Sequence, residues 1–279
     1  MTSSADAALA HDLVTLAEQV AREAGALVRD ERPDQVEVAA TKSSPTDVVT
    51  VMDQRSEQLL HDRLLSARPG DGLLGEEGAG VTGTSGITWV VDPIDGTVNY
   101  LYGIPAYAVS VAAVTGDPSD PAGHEVVAGC VHNPVLGETF TATRGGGAYL
   151  DGRRLRLRPP PPLGQALLAT GFGYEARRRR HQAEVIAALL PQVRDIRRIG
   201  SGTLDLCHVA CGRVDAYVER GLKPWDLAAG GLVAREAGAL VTGLGDAPAG
   251  EELVIVAAPS LHAHLQRVLA PLRPDTDAV

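Results

Sequence analysis

The stretch WVVDPIDGT, residues 89–97, places two carboxylates three positions apart directly after an apolar run. Asp92 follows that run, and the ring of Pro93 fixes φ and favours a turn. Ile94 offers its backbone carbonyl, and Asp95 closes the turn. Because two carboxylates held this close repel each other, the segment needs a cation that neutralises them.

The residues that follow the second acid could bind an anion. Gly96 lets another group approach the backbone closely. Thr97 supplies a hydroxyl and is predicted to open a helix whose first N–H groups point outward. Ligand sets made only of oxygen select hard cations, Mg²⁺ ahead of Zn²⁺, and a helix start suits a phosphate. The combination predicts a phosphate group held on metal ions.

Three other interpretations of this segment compete with that one. An EF-hand loop would need Glu at its twelfth position, whereas the twelfth residue counted from Asp92 is Gly103. A phosphatase with an aspartyl nucleophile would need one residue between its acids, and here two residues separate them. A structural Asp-Pro turn with an Asp cap stays open for the segment taken alone.

Further acids stand at the ends of other predicted elements. The apolar run before GEE delivers Glu76 at the end of a strand. KPWDLAAG places Asp226 at the start of a helix, and SSPTDVVT places Asp47 just before the second predicted helix. Both of these aspartates could be helix caps without any function. No single one of these segments is decisive.

Composition excludes several classes of protein. The net charge of −10 and the pI near 5.2 argue against a general attraction to nucleic acid or to an anionic membrane. No basic region followed by an apolar core opens the chain, and no apolar run reaches the roughly 18 residues of a membrane span. We therefore expect a cytoplasmic protein. The three cysteines, Cys130, Cys207 and Cys211, form no disulfide pattern and are interpreted as small buried hydrophobes rather than zinc ligands.

Hydrophobic periodicity predicts a chain in which strands and helices alternate. Helices are predicted over residues 7–31, 48–65, 177–190, 204–211, 227–237 and 259–270. Strands are predicted in GLLGEE, in ITWVVD, and over residues 107–115, 126–132, 138–143, 166–170, 193–199, 214–219, 239–242 and 253–257. This alternation favours a layered α/β fold.

One stretch of the chain resembles a linker. The proline-rich RPPPPLG, residues 158–164, predicts an N-terminal half over 1–155 and a C-terminal half over 156–279 within one compact catalytic unit. The run Arg177–Arg180 that follows is interpreted as a solvated helix start, with attraction of an anionic substrate or a dimer contact as the alternatives.

Taken together, the segments are specific. GEE, WVVDPIDGTVNY and WDLAAG, in this order and spacing, resemble the inositol monophosphatase family of Mg²⁺-dependent, lithium-sensitive phosphatases. KSSPTDVVTVMD, IGSGTLDL and GRVDAYVERGLKPWD resemble further family segments, so that the resemblance runs over residues 7–244. It implies a layered αβαβα sandwich of the inositol monophosphatase and fructose-1,6-bisphosphatase type, and a homodimer.

The resemblance also implies a role for each matched position, with two to three Mg²⁺ ions per subunit. The implied metal ligands are Glu76, Asp92, the carbonyl of Ile94, Asp95 and Asp226. The implied catalytic residues are Glu76 and the pair of Asp47 and Thr97, which would orient and deprotonate the attacking water. The implied phosphate and substrate contacts are Asp95, Gly96, Thr97, Gly200, Ser201, Glu219 and Asp226.

The function expected from this resemblance is hydrolysis of myo-inositol monophosphate to inositol and phosphate by direct attack of water. Glu219 favours a polyhydroxylated substrate, because a carboxylate accepts hydrogen bonds from hydroxyl groups. Gly173 and Tyr174 stand where some family members place a serine, so histidinol phosphate, 3'-phosphoadenosine 5'-phosphate and fructose 1,6-bisphosphate stay open as substrates. A catalytically inactive binding or regulatory protein is the alternative of a different class; it would typically have lost a metal ligand.

Overall fold

The computed structural model describes residues 4–42, 47–78 and 80–277. Its helices are α1 (Ser4–Asp30), α2 (Val51–Ala67), α3 (Thr97–Tyr102), α4 (Ala176–Leu189), α5 (Gly202–Cys211), α6 (Pro224–Ala237) and α7 (Pro259–Leu269). The strands are β1 (Val38–Thr41), β2 (Val48–Thr50), β3 (Gly72–Gly75), β4 (Gly80–Val81), β5 (Ile87–Asp95), β6 (Ala108–Gly116), β7 (His124–Asn133), β8 (Glu138–Thr143), β9 (Gly147–Leu150), β10 (Arg153–Arg154), β11 (Leu167–Thr170), β12 (Asp195–Arg197), β13 (Ala216–Glu219), β14 (Leu240–Thr242) and β15 (Val254–Ala257).

The strands form two large sheets and one small hairpin. The first large sheet has eight strands in the order β10-β9-β8-β7-β6-β5-β3-β4, and the second has five in the order β12-β11-β13-β15-β14. Neighbours are mostly antiparallel, but β3 runs parallel to β5, and β11 runs parallel to both β12 and β13. Strands β1 and β2 pair separately as a hairpin that the sequence patterns did not predict.

The helices separate and cover these sheets in five layers. Helices α1 and α2 pack their apolar stripes against one face of the eight-stranded sheet. Helices α5 and α6 fill the space between the two sheets, and α4 and α7 cover the outer face of the five-stranded sheet. The predicted αβαβα sandwich is therefore confirmed, and it places the ends of β3 and β5 beside the start of α6.

Small residues let the central helix α6 approach its neighbours closely. A Cβ on Gly129 of β7 would lie 2.9 Å from Cα of Ala229. A Cβ on Gly230 would lie 2.9 Å from Cβ of Leu206 in helix α5. Larger side chains would push α6 away from the first sheet, and because Asp226 lies in the first turn of α6, this packing also fixes the position of that acid.

A bulge in β5 corrects the sequence-based picture of the paired acids. We expected the strand to stop at Asp92, but it continues to Asp95. Asp92 pairs with Ser110 whereas Asp95 pairs with Ala108, so one extra residue is accommodated between them. Residues an odd number of positions apart normally face opposite sides of a strand, and a one-residue bulge brings them to the same side. The bulge at Pro93 and Ile94 therefore aims both carboxylates at one site.

Helix α2 begins at Val51, three residues later than predicted. The side chain of Thr50 accepts hydrogen bonds from the N–H groups of Met52 and Asp53, while the Asp53 carboxylate accepts one from the Thr50 N–H. This reciprocal capping box ends β2 and starts the helix at the same residue. Asp47 therefore does not cap α2, because it lies before β2.

Two further expectations concern the cysteines and the membrane. Cys130 and Cys207 are buried and Cys211 is half-buried, and all are free thiols, as expected for small apolar side chains. Among the residues that the structure describes, no helix has the length and apolar character needed to cross a membrane.

Candidate active site

Three aspartates from two distant segments meet in one cluster. Asp92 and Asp95 come from the bulged strand β5, and Asp226 comes from the first turn of α6. One carboxylate oxygen of each lies within 4.8 Å of the corresponding oxygens of the others. The cluster lines a cavity of about 460 Å³, and Asp92 is only 1% exposed. The structure thus brings together acids that the sequence places more than a hundred residues apart.

Glu76 joins this cluster from the neighbouring strand. Because β3 runs parallel to β5 with Gly75 opposite Val91, the end of β3 lies beside Asp92, and the charge of Glu76 helps to raise the pKa of Asp92. The ammonium group of Lys42 contacts Glu76 Oε1 at 2.8 Å and Glu77 Oε1 at 2.6 Å. Within the described ranges, Lys42 is the one basic side chain in ion-pair contact with Glu76 or the three aspartates.

Burial raises the pKa of every acid in the cluster, and repulsion between the carboxylates adds to this for Asp92 and Asp226. The pKa of Glu76 rises to about 7, chiefly through burial, even though Lys42 opposes the rise. The pKa values of Asp92 and Asp226 lie well above their usual range, because burial and the neighbouring carboxylates both disfavour ionisation. Such a group of acids is stable in its ionised form only when cations compensate it.

The chemistry of the donors fits a hard divalent cation. The cavity lining supplies carboxylate, hydroxyl and backbone carbonyl oxygen, and the lining residues that the structure describes include neither His nor Cys. Mg²⁺ prefers carboxylate oxygens, whereas Zn²⁺ sites usually contain nitrogen or sulfur ligands. Glu76, Asp92, Asp95, Asp226 and the carbonyl of Ile94, which were all suggested by the sequence, line this cavity together.

Asp95 is held in place by the first turn of α5. Its Oδ2 accepts hydrogen bonds from the Ser201 hydroxyl at 2.5 Å and from the Thr203 N–H and hydroxyl at 2.7 and 2.5 Å. Ser201 was expected to contact substrate, but it is 2% exposed and its hydroxyl donates to this carboxylate. Sequence reasoning missed Thr203, since nothing in the pattern GSGT shows which acid its hydroxyl reaches.

The expected pairing of Asp47 with Thr97 stays a prediction, and the structure gives Thr97 a carboxylate partner that was not expected, Asp53. The Thr97 hydroxyl lies 3.1 Å from Asp53 Oδ1 and 3.0 Å from the carbonyl of Ile94, and its single hydrogen is shared between these acceptors. Asp53 is fully buried, and burial raises its pKa to about 6. Asp47 lines the cavity elsewhere.

Thr97 does not cap helix α3. The N-cap of α3 is Gly96, which provides no side chain to bond the first N–H groups of the helix. Gly96 has φ of +95°, and a Cβ there would lie 2.9 Å from the carbonyl oxygen of Ala106. Only glycine fits this position, and it leaves the helix start open toward the cavity.

The opposite wall of the cavity carries the residues expected to contact substrate. The Oε2 atom of Glu219, at the end of β13, accepts a hydrogen bond from the Tyr217 hydroxyl at 2.5 Å, and burial raises the pKa of Glu219 to about 7. Glu219 lies so close to Gly171 that a Cβ on this glycine would clash with its carboxylate. Gly200 has φ of +101° and also lines the cavity, where its carbonyl oxygen would lie 3.2 Å from a Cβ on Gly96 at the start of α3.

Asp205 of helix α5 is a further acid of this wall that sequence reasoning missed. It is 1% exposed, and its Oδ1 has no hydrogen-bond partner among the described residues. Burial, together with the charges of Glu219 and Asp95, raises the pKa of Asp205 to about 8. The adjacent apolar residues in TLDLC identify only a buried helix face.

We expect the stability difference between Asp205→Asn and the parent protein to depend on pH. With a folded pKa of about 8 against about 3.9 when unfolded, the folded state holds a proton that the unfolded chain releases. Its contribution to stability is fully present below about pH 4 and is lost as the pH rises toward 8, by at most a few kcal/mol. Asparagine cannot ionise and avoids this loss. Urea denaturation with a chelator present should show that the difference in free energy of unfolding between Asp205→Asn and the parent protein widens from pH 5 to pH 8. A difference that stays constant over this range would contradict the assignment.

The arginine run has two environments rather than one. Arg177, Arg179 and Arg180 are exposed, as expected for a solvated helix start. Arg178 is different, because its side chain is only 17% exposed and lines the catalytic cavity. No pattern in the sequence distinguishes Arg178 from its neighbours, since the difference depends on which side of helix α4 faces the cavity.

Comparisons with known proteins agree with this fold and this cavity. Residues 10–275 match the family described as the inositol monophosphatase family. The inositol-1-monophosphatase SuhB of Mycobacterium tuberculosis is 48% identical over 264 residues, which cover 88% of this chain and 89% of that protein. A protein named Nus factor SuhB from Vibrio cholerae is 37% identical, with 83% and 85% of the two chains covered. The solved structure of Mycobacterium tuberculosis SuhB superposes with a TM-score of 0.79 at 44% identity, covering 95% of this chain and 98% of that one.

Proposed function

This chain belongs to the inositol monophosphatase family, and we propose that it hydrolyses myo-inositol monophosphate to inositol and phosphate. The observation that carries the proposal is the convergence of Glu76, Asp92, Asp95 and Asp226 on one cavity, beside the open start of helix α3. The acids provide a site for cations, and the helix start provides a site for the phosphate. The chain is accordingly an enzyme that acts on phosphate monoesters.

The metal ions in this proposal are Mg²⁺, two to three per subunit. Glu76, Asp92 and the carbonyl of Ile94 would hold the first, and Asp92, Asp95 and Asp226 would hold the second, with a weaker third site against Glu76. When bound, such ions neutralise the cluster, make water more acidic and polarise the phosphoryl oxygens. The raised pKa values of the four acids support this assignment. Part of the rise at Asp92 and Asp226 comes from repulsion by neighbouring carboxylates, which a bound cation would relieve.

Thr97 and Asp53 would move the proton of the attacking water. The Thr97 hydroxyl donates toward Asp53 Oδ1, which leaves an oxygen lone pair of Thr97 available to accept a proton from water. As Thr97 accepts that proton, its own proton passes to Asp53. The pKa of about 6 for Asp53 leaves this carboxyl mostly ionised near neutral pH and able to accept it.

Backbone groups and acids would orient the ester. The N–H groups of Gly96 and Thr97 at the start of α3 would bind phosphoryl oxygens, because no side chain caps them. Glu219 and Asp226 would accept hydrogen bonds from substrate hydroxyls, and Gly200 would contact the substrate through its backbone. For Ser201 the contribution is indirect, since its hydroxyl orients Asp95.

Three further properties belong to the proposal. Sensitivity to lithium would follow from exchange of a small monovalent cation into the acid cluster. Formation of a homodimer is supported by the exposed apolar side chains of Tyr102, the last residue of α3, 76% exposed, and of Ile104, two residues further along the chain, 46% exposed. The complete set of acids in the cavity favours an enzyme over a protein that only binds a partner.

A phosphate-release assay tests the proposal. We expect Mg²⁺-dependent release from myo-inositol 1-phosphate, abolished by a chelator and reduced by Li⁺, with a higher kcat/KM than for histidinol phosphate, 3'-phosphoadenosine 5'-phosphate or fructose 1,6-bisphosphate. A higher kcat/KM for one of those three would overturn the substrate. Absence of release from all four would overturn the function itself.

A further inference from the structure

The catalytic cavity is lined by charges of both signs. Its lining holds the acid cluster and Glu219 together with several basic residues, which we call the basic rim; Glu251 lies among them, 2.7 Å from Lys223 and 3.9 Å from Arg178. The basic residues of the lining are Lys42, Arg178, Arg198, Arg220 and Lys223. In a chain with a net charge of −10, five basic side chains around one cavity are not expected from composition alone. With divalent cations at the acid cluster, the whole cavity would attract anions.

Arg178 and Arg220 are the two arginines of this rim that are largely buried. Their side chains are 17% and 12% exposed. The Nε atom of each is buried without a hydrogen-bond partner among the described residues. A guanidinium group has five N–H donors, and leaving one of them buried and unbonded has a free-energy cost. The pair therefore has donors that a ligand could satisfy.

An acid of the same chain already lies between these two arginines. The segment that follows α7 returns to the cavity rim, where Asp277 Oδ1 contacts Arg220 Nη1 and lies 3.5 Å from Arg178 Nε. These arginines hold the pKa of Asp277 below its usual value. The side chain of Asp277 is 29% exposed, so solvent reaches this contact. The contact with Arg178 is too long for a good hydrogen bond.

The backbone around Arg178 is shaped to keep its guanidinium at the rim. A Cβ on Gly173 would lie 2.9 Å from Arg178 Cδ, and a Cβ on Gly221 would lie 3.0 Å from Arg178 Nη1. Gln182 connects the two sides, because it accepts a hydrogen bond from the Gly173 N–H and donates one to the carbonyl of Arg220. These contacts tie both arginines to the segments that flank Glu219.

We propose that Arg178 and Arg220 form a subsite for a second phosphate group of the substrate, and that Asp277 occupies this subsite until such a substrate displaces it. Two guanidinium groups suit a phosphate, because each can donate two parallel hydrogen bonds to its oxygens. A carboxylate between the same arginines imitates the ligand with less charge. The inference rests on the proposed function and specifies its substrate class as polyol bisphosphates in addition to monophosphates.

The test compares two compounds that differ only by a second phosphate, with the full chain and Mg²⁺ present. One is myo-inositol 1-phosphate as substrate, and the other is myo-inositol 1,4-bisphosphate, measured as a competitor of that hydrolysis. Asp277→Asn should lower the inhibition constant of the bisphosphate about tenfold, because a charge-assisted contact no longer has to be displaced. The KM of the monophosphate should change less than about twofold, since it has no group for this subsite.

A second substitution shows whether the arginines cause this gain. Adding Arg178→Gln to Asp277→Asn should return the inhibition constant to at least the parent value, whereas Arg179→Gln, on the exposed side of the same helix, should leave it unchanged. The subsite alone would be overturned if Asp277→Asn lowered the KM of the monophosphate as much as the inhibition constant of the bisphosphate. It would also be overturned if the lower inhibition constant persisted after Arg178→Gln was added. Failure of the parent protein to hydrolyse the monophosphate would overturn the proposed function and the subsite together.

Discussion

Replacing Asp92 by asparagine should reduce Mg²⁺-dependent phosphate release by roughly a thousandfold or more in kcat/KM. Asp92 is the acid that connects the two proposed metal sites, because the end of β3 brings Glu76 beside it and it lies in the cluster with Asp95 and Asp226. A neutral amide at this position weakens both sites at once. Initial rates with myo-inositol 1-phosphate over a series of Mg²⁺ concentrations would measure the loss, and excess Mg²⁺ should not restore the parent rate.

The same substitution should leave the fold intact and even stabilise it when a chelator is present. Burial and neighbouring carboxylates raise the pKa of Asp92 well above its usual value, so its ionised form destabilises the cation-free protein near neutral pH. The parent protein should gain melting temperature on addition of Mg²⁺, because a ligand that binds only the folded state stabilises it. Asp92→Asn should lose most of this gain.

Asp215→Asn provides the matched control for Asp92→Asn. Asp215 accepts a hydrogen bond from the Leu167 N–H at 2.8 Å and takes no part in the cavity. Its substitution should cost about 1 kcal/mol of stability but keep the Mg²⁺ response and the activity. Asp92→Asn with near-parental activity, or with an unchanged response of its melting temperature to Mg²⁺, would contradict the proposed ligand set.

Local sequence signals predicted most of the elements and the identity of the clustered acids. The apolar stripe of α1 and the alternation in the second half were enough for a layered α/β organisation, since each pattern depends on nearby residues only. The order of the layers and the meeting of the acids at the ends of β3 and β5 were implied by the resemblance to the inositol monophosphatase family. Their common orientation could not be predicted, since it depends on the bulge opposite Ser110 and Ala108 of another strand.

The contact between Thr97 and Asp53 was not predicted for a different reason. Asp47 and Asp53 lie in one short segment, and both precede or begin an element, so sequence distance does not distinguish them. The distinguishing signal was Thr50 three residues before Asp53, which forms the capping box and buries that carboxylate under β5. Asp205 and Arg178 had no comparable signal, because each faces the cavity only through packing between distant segments.

The largest effect outside the metal ligands is expected from Asp53→Asn. Asp53 accepts the hydrogen bond of the Thr97 hydroxyl at 3.1 Å and is its proposed proton acceptor. Removing a general base typically reduces kcat by about 10²–10⁴-fold. The acids that hold Mg²⁺ are unchanged, so the rise in melting temperature on addition of Mg²⁺ should persist. This combination of lost turnover and retained metal response distinguishes Asp53→Asn from Asp92→Asn.

Asp47→Asn is the matched control, because it changes the same kind of side chain in the same segment and lines the same cavity. If the hydrogen bond to Asp53 defines the relay, Asp47→Asn should retain kcat within about tenfold, since the hydrogen bond between Thr97 and Asp53 is still present. Thr97→Ala should reproduce the loss in kcat and Thr97→Ser should recover much of it, because serine keeps the hydroxyl and Gly96, not Thr97, caps α3. A larger loss of kcat in Asp47→Asn than in Asp53→Asn would return the role to Asp47 and make the observed contact structural.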